Sequence, residues 1–438
     1  MEKRIARNGN EGGGSKKTIK FGVTPTWRNS IPYYVMKGRG WKEVEVTEDW
    51  DFFYADVGWI HENITYAQPS NAGFRIQDNQ KVNHFPNHVE LTRKDLMAKN
   101  LKRAMKAVQK EGGGNSNEPP ALNSATDFEF TPITFTLPAE GAMMLRMFKE
   151  KGGLWIMKPI SGRQGKGIFI VSRPSQIEAW LKERAAAKEQ DETGRITSYV
   201  AQRYVHNPYL VGGKKFDMRI YALVLSYAPL KVYLYREGFA RFTNAAYTLD
   251  KEDLSNIGIH LTNHAVQKKD VDYDSSRTDL KWSLHCLKTF LSSMHGADAA
   301  NMCFGRIQHI ITQSLRAVQN VLINDKHCCE LYGYDIMIDA DLKPWLLEVN
   351  ASPSLSSDNE RDYELKYNMI EDFYTCLDLE KTFNGQTPKR VGGFDLIYDK
   401  DTVIRNSECP SLPTGLGINN NRVKSLKRLK KMNFTKPS

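Results

Sequence analysis

Residues 332–350 read YGYDIMIDADLKPWLLEVN: two largely apolar runs, 332–339 and 344–350, joined by the short turn Ala340-Asp341-Leu342-Lys343. Two such runs around a few turn residues predict a β-hairpin. If Asp339 pairs with Pro344, the register sets Asp335 opposite Glu348. Asn350 then shares the face of Glu348, because strand side chains alternate with period two. Two carboxylates directly opposed in a sheet repel each other, and acids in otherwise apolar strands are costly when unpaired. A bound cation converts that penalty into binding. An all-oxygen set with few protein ligands suits Mg2+, which keeps several waters and bridges to phosphates. Asp335, Glu348 and Asn350 are therefore candidate metal ligands.

Upstream, WIMKP (155–159) and GIFIV (167–171) predict two more strands, joined by a turn containing Gly162, Gly165 and Gly167. Glycines let backbone N–H groups approach an anion closely, and Lys158 ends the first strand within reach of a phosphate. No G-K-[ST] follows, so this is not a Walker loop, and alone it is equally an ordinary flexible turn. The third segment is KFDMRIYALVLS (215–226). Period two puts Lys215, Asp217 and Arg219 on one face and Phe216, Met218 and Ile220 on the other. The polar face reads as a nucleotide or phosphate platform, or as a solvated face with an internal ion pair.

Working outward, a charged helix is expected over 92–110, a strand between Pro132 and Pro138, and helices at 139–151, 174–190, 283–296, 302–323 and 360–378. Further strands are expected at 199–205 and 231–242. Strands and helices in blocks, with several hairpins, predict an α+β fold with mixed or antiparallel sheets and flanking helices in two or three lobes. The expected division is a disordered segment 1–35, an N-terminal lobe 36–110, a flexible linker 111–125 (EGGGNSNEPPALNSA), a central lobe 126–205, a C-terminal lobe 206–380 carrying the metal site, and a basic low-order tail 381–438.

With 40% hydrophobic residues the chain has material for a real core, and its net charge of +10 suits an acidic partner. The basic tail (Arg422, Lys424, Lys427, Arg428, Lys430, Lys431) carries no acid after position 420. It lacks interleaved aromatics, and no groove-reading motif occurs, which argues against nucleic acid. Six scattered cysteines show neither zinc spacing nor a disulfide framework. No apolar run is long enough to span a bilayer, and the N-terminus is not a secretory signal. A soluble protein of the cytoplasm is expected.

The segments WIMKPISGRQGKGIFI (155–170), YVAQRYVHNPYLVGGKKFDMRIYALV (199–224), GFARF (238–242), HLTNHAVQK (260–268) and YGYDIMIDADLKPWLLEVNASPSL (332–355), with VNHFPNHVELTRKDLMAKNLKR (82–103) upstream, resemble the tubulin tyrosine ligase-like family, an ATP-grasp group. The resemblance covers about residues 40–375. It is nearest the family's glutamate ligases, as KRVGGFDLIYD (389–399) supports. It implies an ATP- and Mg2+-dependent enzyme that activates a γ-carboxylate in an acidic tubulin C-terminal tail as an acyl phosphate and joins it to free L-glutamate. Position by position, it implies that Lys158, Lys215 and Asp217 bind ATP, and that Gln164 and Gly165 cover the phosphates. Gln202, Arg203, Tyr204 and Val205 match the adenine hinge. Thr262 and Asn263 contact the nucleotide, and Arg219 faces the γ-phosphate as a catalytic residue with Glu348. Asp335, Glu348 and Asn350 hold Mg2+; Arg241, Lys281 and Gln164 hold the incoming amino acid.

Where many glutamate ligases carry polar residues after the asparagine of HLTN, His264 and Ala265 stand here. A glycine or tyrosine ligase of the same family, or a microtubule-binding pseudo-ligase that needs accessory subunits, are the rival readings. Cytoskeleton, cilium or flagellum, axoneme and basal body are the locations that the resemblance implies.

Overall fold

The computed structural model describes residues 18–64, 76–111, 128–160, 162, 164–187, 198–268, 280–404 and 413–420. Its organising element is a long strand, Lys214–Tyr227. Strand alternation gives it two chemistries. Phe216, Met218, Ile220, Ala222 and Val224 join one core, while Tyr221 and Leu223 join the core on the opposite face. Lys215, Asp217 and Arg219 precede those two on that second face, as period two predicts, and they occupy a site instead of a core.

Around this strand lies a ten-stranded sheet. Its partners are Leu230–Tyr235, Phe239–Phe242 and Glu330–Ile338, all antiparallel, with Pro344–Asn350 paired to Glu330–Ile338. The helix Ala297–Gln319 covers one face through Phe304, Ile307, Ile311 and Leu315. The helix Glu360–Leu377 covers the other through Ile370, Phe373 and Tyr374. Asn359 starts the latter helix, its side chain accepting from the Asp362 N–H, and Glu360 and Asp362 complement the positive end of the helix dipole.

A second sheet has four antiparallel strands in the order Thr134–Leu137, Tyr199–Arg203, Trp155–Pro159, Phe169–Val171. It has its own core of Phe135, Met144, Phe148, Trp155, Met157 and Ile177. A third, of four short strands, is parallel: Lys42–Glu43, Lys20–Val23, Phe52–Tyr54, Lys81–Val82. Mixed helices with parallel and antiparallel sheets make this an α+β protein.

Two expectations are corrected. Within the segment 1–35, expected to be disordered, Lys20–Val23 is a central strand of the parallel sheet and Ile31–Gly38 begins a helix. Phe21, Val23, Ile31 and Val35 are core residues, so their burial overrides the polar composition around them. Within the expected low-order tail 381–438, Arg390–Val391, Phe394–Asp399 and Thr402–Val403 form strands, and Phe394–Asp399 pairs with Leu230–Tyr235. The glycine pair Gly392-Gly393 permits this. A Cβ at Gly392 would collide with the Asp372 carboxylate, and one at Gly393 with the Tyr235 ring. The catalytic-lobe boundary expected at 380 therefore cuts through a sheet. The basic run beyond 420, the N-terminal 17 residues and nearly all of the expected linker 111–125 lie outside the described residues.

Candidate active site

The hairpin expected over 332–350 forms, and Asp335 pairs with Glu348. The expected turn register does not hold. Ile338, not Asp339, pairs with Pro344, and a bulge between Asp335 and Ile336 takes up the extra residue, Leu347. The bulge restores the register beyond it, so Tyr334 meets Val349 and Gly333 meets Asn350. Asp339 instead ties the turn. Its carboxylate accepts from the Asp341 and Lys343 N–H groups and from Trp345 Nε1.

Across the large sheet, register builds two adjoining rows of charge. Arg219 lies opposite Asp335, which lies opposite Glu348. Asp217 lies opposite Arg241, which lies opposite Lys281. Arg219 forks onto Asp335 at 2.6 and 3.1 Å. Arg241 forks onto Asp217 at 2.8 and 2.5 Å and reaches Asp335 Oδ2 at 3.0 Å. Burial would raise the Asp335 pKa, but the two guanidinium groups outweigh it and hold the carboxyl well below its ordinary range. Gly333 leaves room for this crossing, since a Cβ there would stand 3.3 Å from Arg219 Cδ.

Two lysines face this array. Lys158 donates to Gln202 Oε1 at 2.7 Å, and Gln202 in turn donates to Thr134 Oγ1 at 3.0 Å. Lys215 donates to the Tyr204 hydroxyl at 3.0 Å and to the His260 carbonyl at 2.9 Å. Burial pushes Lys158 down to about 8, despite the attraction of Glu348 and Asp335. Burial and the neighbouring Lys158 push Lys215 down to about 7. In these hydrogen bonds both donate to neutral oxygens and not to carboxylates, an arrangement that can take up an anion.

The Gly-rich turn adopts the backbone its sequence permits. Gln164, Gly165 and Gly167 have φ of 58°, 75° and 71°. Gly165 packs against the segment carrying Thr262 and Asn263, for a Cβ there would lie 2.7 Å from Val266 and 3.2 Å from Leu261. Thr262 is buried and Asn263 starts the short helix His264–Gln267. The structure thus sets the turn beside the segment carrying Thr262 and Asn263, Lys215 beside Tyr204 and near Lys158, and Lys158 beside Gln202 and near Asp335 and Glu348. Arg203 departs from the group. By strand alternation its side chain points away from that of Gln202, and it lies beside Gly153. Its N–H donates to the Ile133 carbonyl at 2.8 Å. Val205 is half-buried just beyond the strand end.

Three residues escaped the sequence reading. Lys94, first in the helix Lys94–Glu111, sits 3.6 Å from Glu348 and lines a small cleft with Lys158, Gln202 and Leu347. Its position is set by burial of Met97 and Leu101 on the same helix, a tertiary effect with no local signature. Asp362 stands under Lys281, its Oδ2 2.8 Å from Lys281 Nζ, and Lys366 Nζ lies 2.9 Å from the same oxygen. Their i,i+4 spacing on a helix was a readable signal.

Among the described residues no group of three or more His, Cys, Asp or Glu side chains is set to hold a metal. The hairpin offers two carboxylates and one amide, oxygen donors all, with Asn350 Nδ2 3.4 Å from Glu348 Oε1. That donor set fits a hard cation with bound water.

The Tubulin-tyrosine ligase family pattern matches residues 74–383. The probable tubulin polyglutamylase TTLL9 of Bos taurus is 41% identical over 448 residues, covering 94% of this chain and 93% of that protein. The probable alpha-tubulin polyglutamylase Ttll1 of Tetrahymena thermophila is 44% identical over 376 residues, 83% of this chain and 89% of that protein. The tubulin polyglutamylase TTLL5 of Homo sapiens is 36% identical over 316 residues, 69% of this chain but 22% of that longer protein. The matched span contains every element of the cleft, from Lys94 and the Gly-rich turn to the Asp335–Glu348 hairpin and Asp362, and so the chain belongs to the tubulin-tyrosine ligase family.

Proposed function

We propose that this protein is a tubulin polyglutamylase of ATP-grasp type: it joins free L-glutamate to the γ-carboxylate of glutamates in acidic tubulin C-terminal tails, using ATP and Mg2+. The observation that carries the proposal is the placing of two lysines, the half-buried Lys158 and the buried Lys215, close to the opposed carboxylates Asp335 and Glu348. One half suits polyphosphate and the other suits its metal. The relatives named as polyglutamylases support the same substrate class.

In this reading Lys158, Lys215 and Arg219 hold the phosphates and offset the charge that builds as the γ-phosphoryl group moves to the acceptor carboxylate. Gln164 and Gly165 cover them, Thr262 and Asn263 hold the nucleotide from the facing side, and Gln202, Tyr204 and the backbone of Arg203 and Val205 line the adenine end. Asp217 orients Arg241 through its fork. Asp335, Glu348 and Asn350 would hold Mg2+, which supplies charge neutralisation at the phosphate oxygens when bound. Arg241 and Lys281, neighbours across the sheet, bind the carboxylates of the incoming amino acid, and Gln164 is assigned to the same amino acid. Its α-amine then attacks the activated carbonyl carbon, phosphate leaves, and an isopeptide branch results.

The basic run after 420 offers the acidic tubulin surface a complementary charge. Accessory subunits, and a place at the axoneme or basal body, belong to the same proposal. His264, half-buried beside Asp358, keeps a second reading in view: a weak or inactive docking protein.

The test is ATP-dependent incorporation of labelled glutamate into tubulin, with glycine and tyrosine as parallel donors. It uses both the purified chain and the complex recovered from cells. Glutamate incorporation is the expected result. Incorporation of glycine or tyrosine instead overturns the amino-acid assignment, and microtubule binding with no incorporation by either preparation supports the docking protein.

A further inference from the structure

An amino acid arrives as a zwitterion, and a subsite made only of cations reads half of it. Arg241 and Lys281 answer carboxylates; the α-ammonium, the group that becomes the nucleophile, needs an acceptor. The acids nearest these cations differ in what they have left to give. Asp217 and Asp335 are engaged by guanidinium forks. Glu348 stands in the row with Asp335, away from Lys281, and its near cation is Lys94 at 3.6 Å. Asp358 and Asp362, at the start of the last long helix, are placed otherwise.

Asp362 is buried and shares one oxygen between two ammonium groups, Lys281 at 2.8 Å and Lys366 at 2.9 Å. Its other oxygen, Oδ1, is buried with no hydrogen-bond partner among the described residues. Burial would raise its pKa, but Lys366 and Lys281 outweigh that and keep it ionised. Asp358 has a half-exposed side chain, with Oδ2 at 3.5 Å from Lys281 Nζ and 3.7 Å from His264 Nδ1. Its N–H donates to Asp362 Oδ2 at 3.2 Å, which fixes it over the buried carboxylate. Lys281 itself lies 3.9 Å from the Phe239 ring centre, on the strand that carries Arg241. Burial, with Lys268, Lys281 and Lys366 nearby, lowers the His264 pKa against the pull of Asp358, which disfavours a third cation at this place.

We propose that Asp358 is the ammonium-binding residue of the amino-acid subsite and that Asp362 is the positioning residue beneath it, anchoring both Lys281 and the Asp358 backbone. When the substrate binds, Lys281 turns part of its hydrogen bonding to a substrate carboxylate. The α-ammonium takes the place Lys281 leaves at Asp358, so the charge balance of the cluster is preserved. This rests on the amino-acid ligase reading above.

The experiment compares two probes by calorimetry on the full chain with Mg2+ and a non-hydrolysable ATP analogue: L-glutamate, and glutarate, the same dicarboxylate without its ammonium. In the wild type glutamate binds more tightly. Asp358→Asn is expected to weaken glutamate at least tenfold and leave glutarate unchanged or tighter, so that the discrimination collapses. Asp362→Asn is expected to weaken both, because it releases Lys281. Equal loss of both probes in Asp358→Asn, or loss of neither, overturns the ammonium assignment while leaving the ligase reading intact. A wild type that binds the nucleotide analogue but no amino acid overturns both. Thermal unfolding of each variant separates these outcomes from misfolding; Asp358, half-exposed, is the variant expected to melt as the wild type does.

Discussion

Lys215 offers a substitution whose effects on stability and on function should have opposite signs. Burial and the nearby Lys158 bring its pKa from 10.5 to about 7. At about 1.36 kcal/mol per pH unit, carrying this lysine into the folded state at pH 7 costs on the order of 4 kcal/mol. Replacing it by methionine, similar in length and shape, removes that cost. The loss is two hydrogen bonds and the ammonium's place over the Tyr204 and Tyr247 rings, the ring contacts together worth about 1 kcal/mol. The Tyr204 hydroxyl keeps His260 Nδ1 at 3.0 Å, and the His260 carbonyl is left short of a donor, a penalty of about 1–3 kcal/mol. Lys215→Met should therefore stabilise the ligand-free protein by up to about 2 kcal/mol, read as a rise of a few degrees in melting temperature. The same change removes a charge from the phosphate hole, so ATP affinity should fall at least tenfold. The pH dependence carries the sign. A lysine whose folded pKa is depressed is a full burden below pH 7, and that burden fades as pH rises toward 10.5, so the gap between variant and wild type should narrow over this range. Calorimetric melting at pH 7, 8.5 and 10, with nucleotide titrations at pH 7, makes the check. A variant that melts lower than the wild type at pH 7, or that keeps its ATP affinity, refutes the reasoning.

Glu348→Gln should lower ligation by at least a hundredfold and weaken Mg2+ dependence. It should barely move the melting temperature, since its contact with Lys94 at 3.6 Å is a partly exposed ion pair of small worth. Nucleotide binding should take up protons above pH 7, because Lys215 and Lys158, at about 7 and about 8 when free, must be charged to meet phosphate. Calorimetry in buffers of different ionisation enthalpy would show it, with affinity falling as pH rises from 7 to 9. Deleting residues 390–438 removes Phe394, Leu396, Ile397, Tyr398 and Leu416 from the core. At about 2 kcal/mol each that is on the order of 10 kcal/mol, comparable to a whole domain's stability. The shortened chain should lose cooperative unfolding, whereas cutting after 420 should not.

The parts legible in the sequence were those in which a short segment carries its own constraint. The face of Lys215, Asp217 and Arg219 follows from period two alone. The opposition of Asp335 and Glu348 also came out, although the turn register used to reach it was off by one and only the bulge at Leu347 restored it. Elements whose stability comes from distant partners were not legible. The strand Lys20–Val23 is four residues long and is held between two parallel neighbours, Lys42–Glu43 and Phe52–Tyr54. Its propensity says little, and burial of Phe21 decides it. The strands after 390 sit in a Gly-, Pro- and Asn-rich stretch whose glycines signal close approach as readily as looseness. The i,i+4 pair Asp362–Lys366 was readable, but its meeting with Lys281, and the place of Lys94, needed three dimensions, since tertiary packing sets which helix face meets the site.

The pairing of Phe394–Asp399 with Leu230–Tyr235 also bears on how the protein is made. Synthesis is vectorial, and some 160 positions separate the two strands. While the intervening chain is being translated, Leu230–Tyr235 can find Lys214–Tyr227 on one side but has nothing on the other. A nascent sheet with an open, apolar edge is a template for the wrong strand. The emerging polypeptide therefore carries a prolonged liability that ends when Gly392-Gly393 turns Phe394–Asp399 into place. Fragments that stop short of it would inherit that exposed edge permanently.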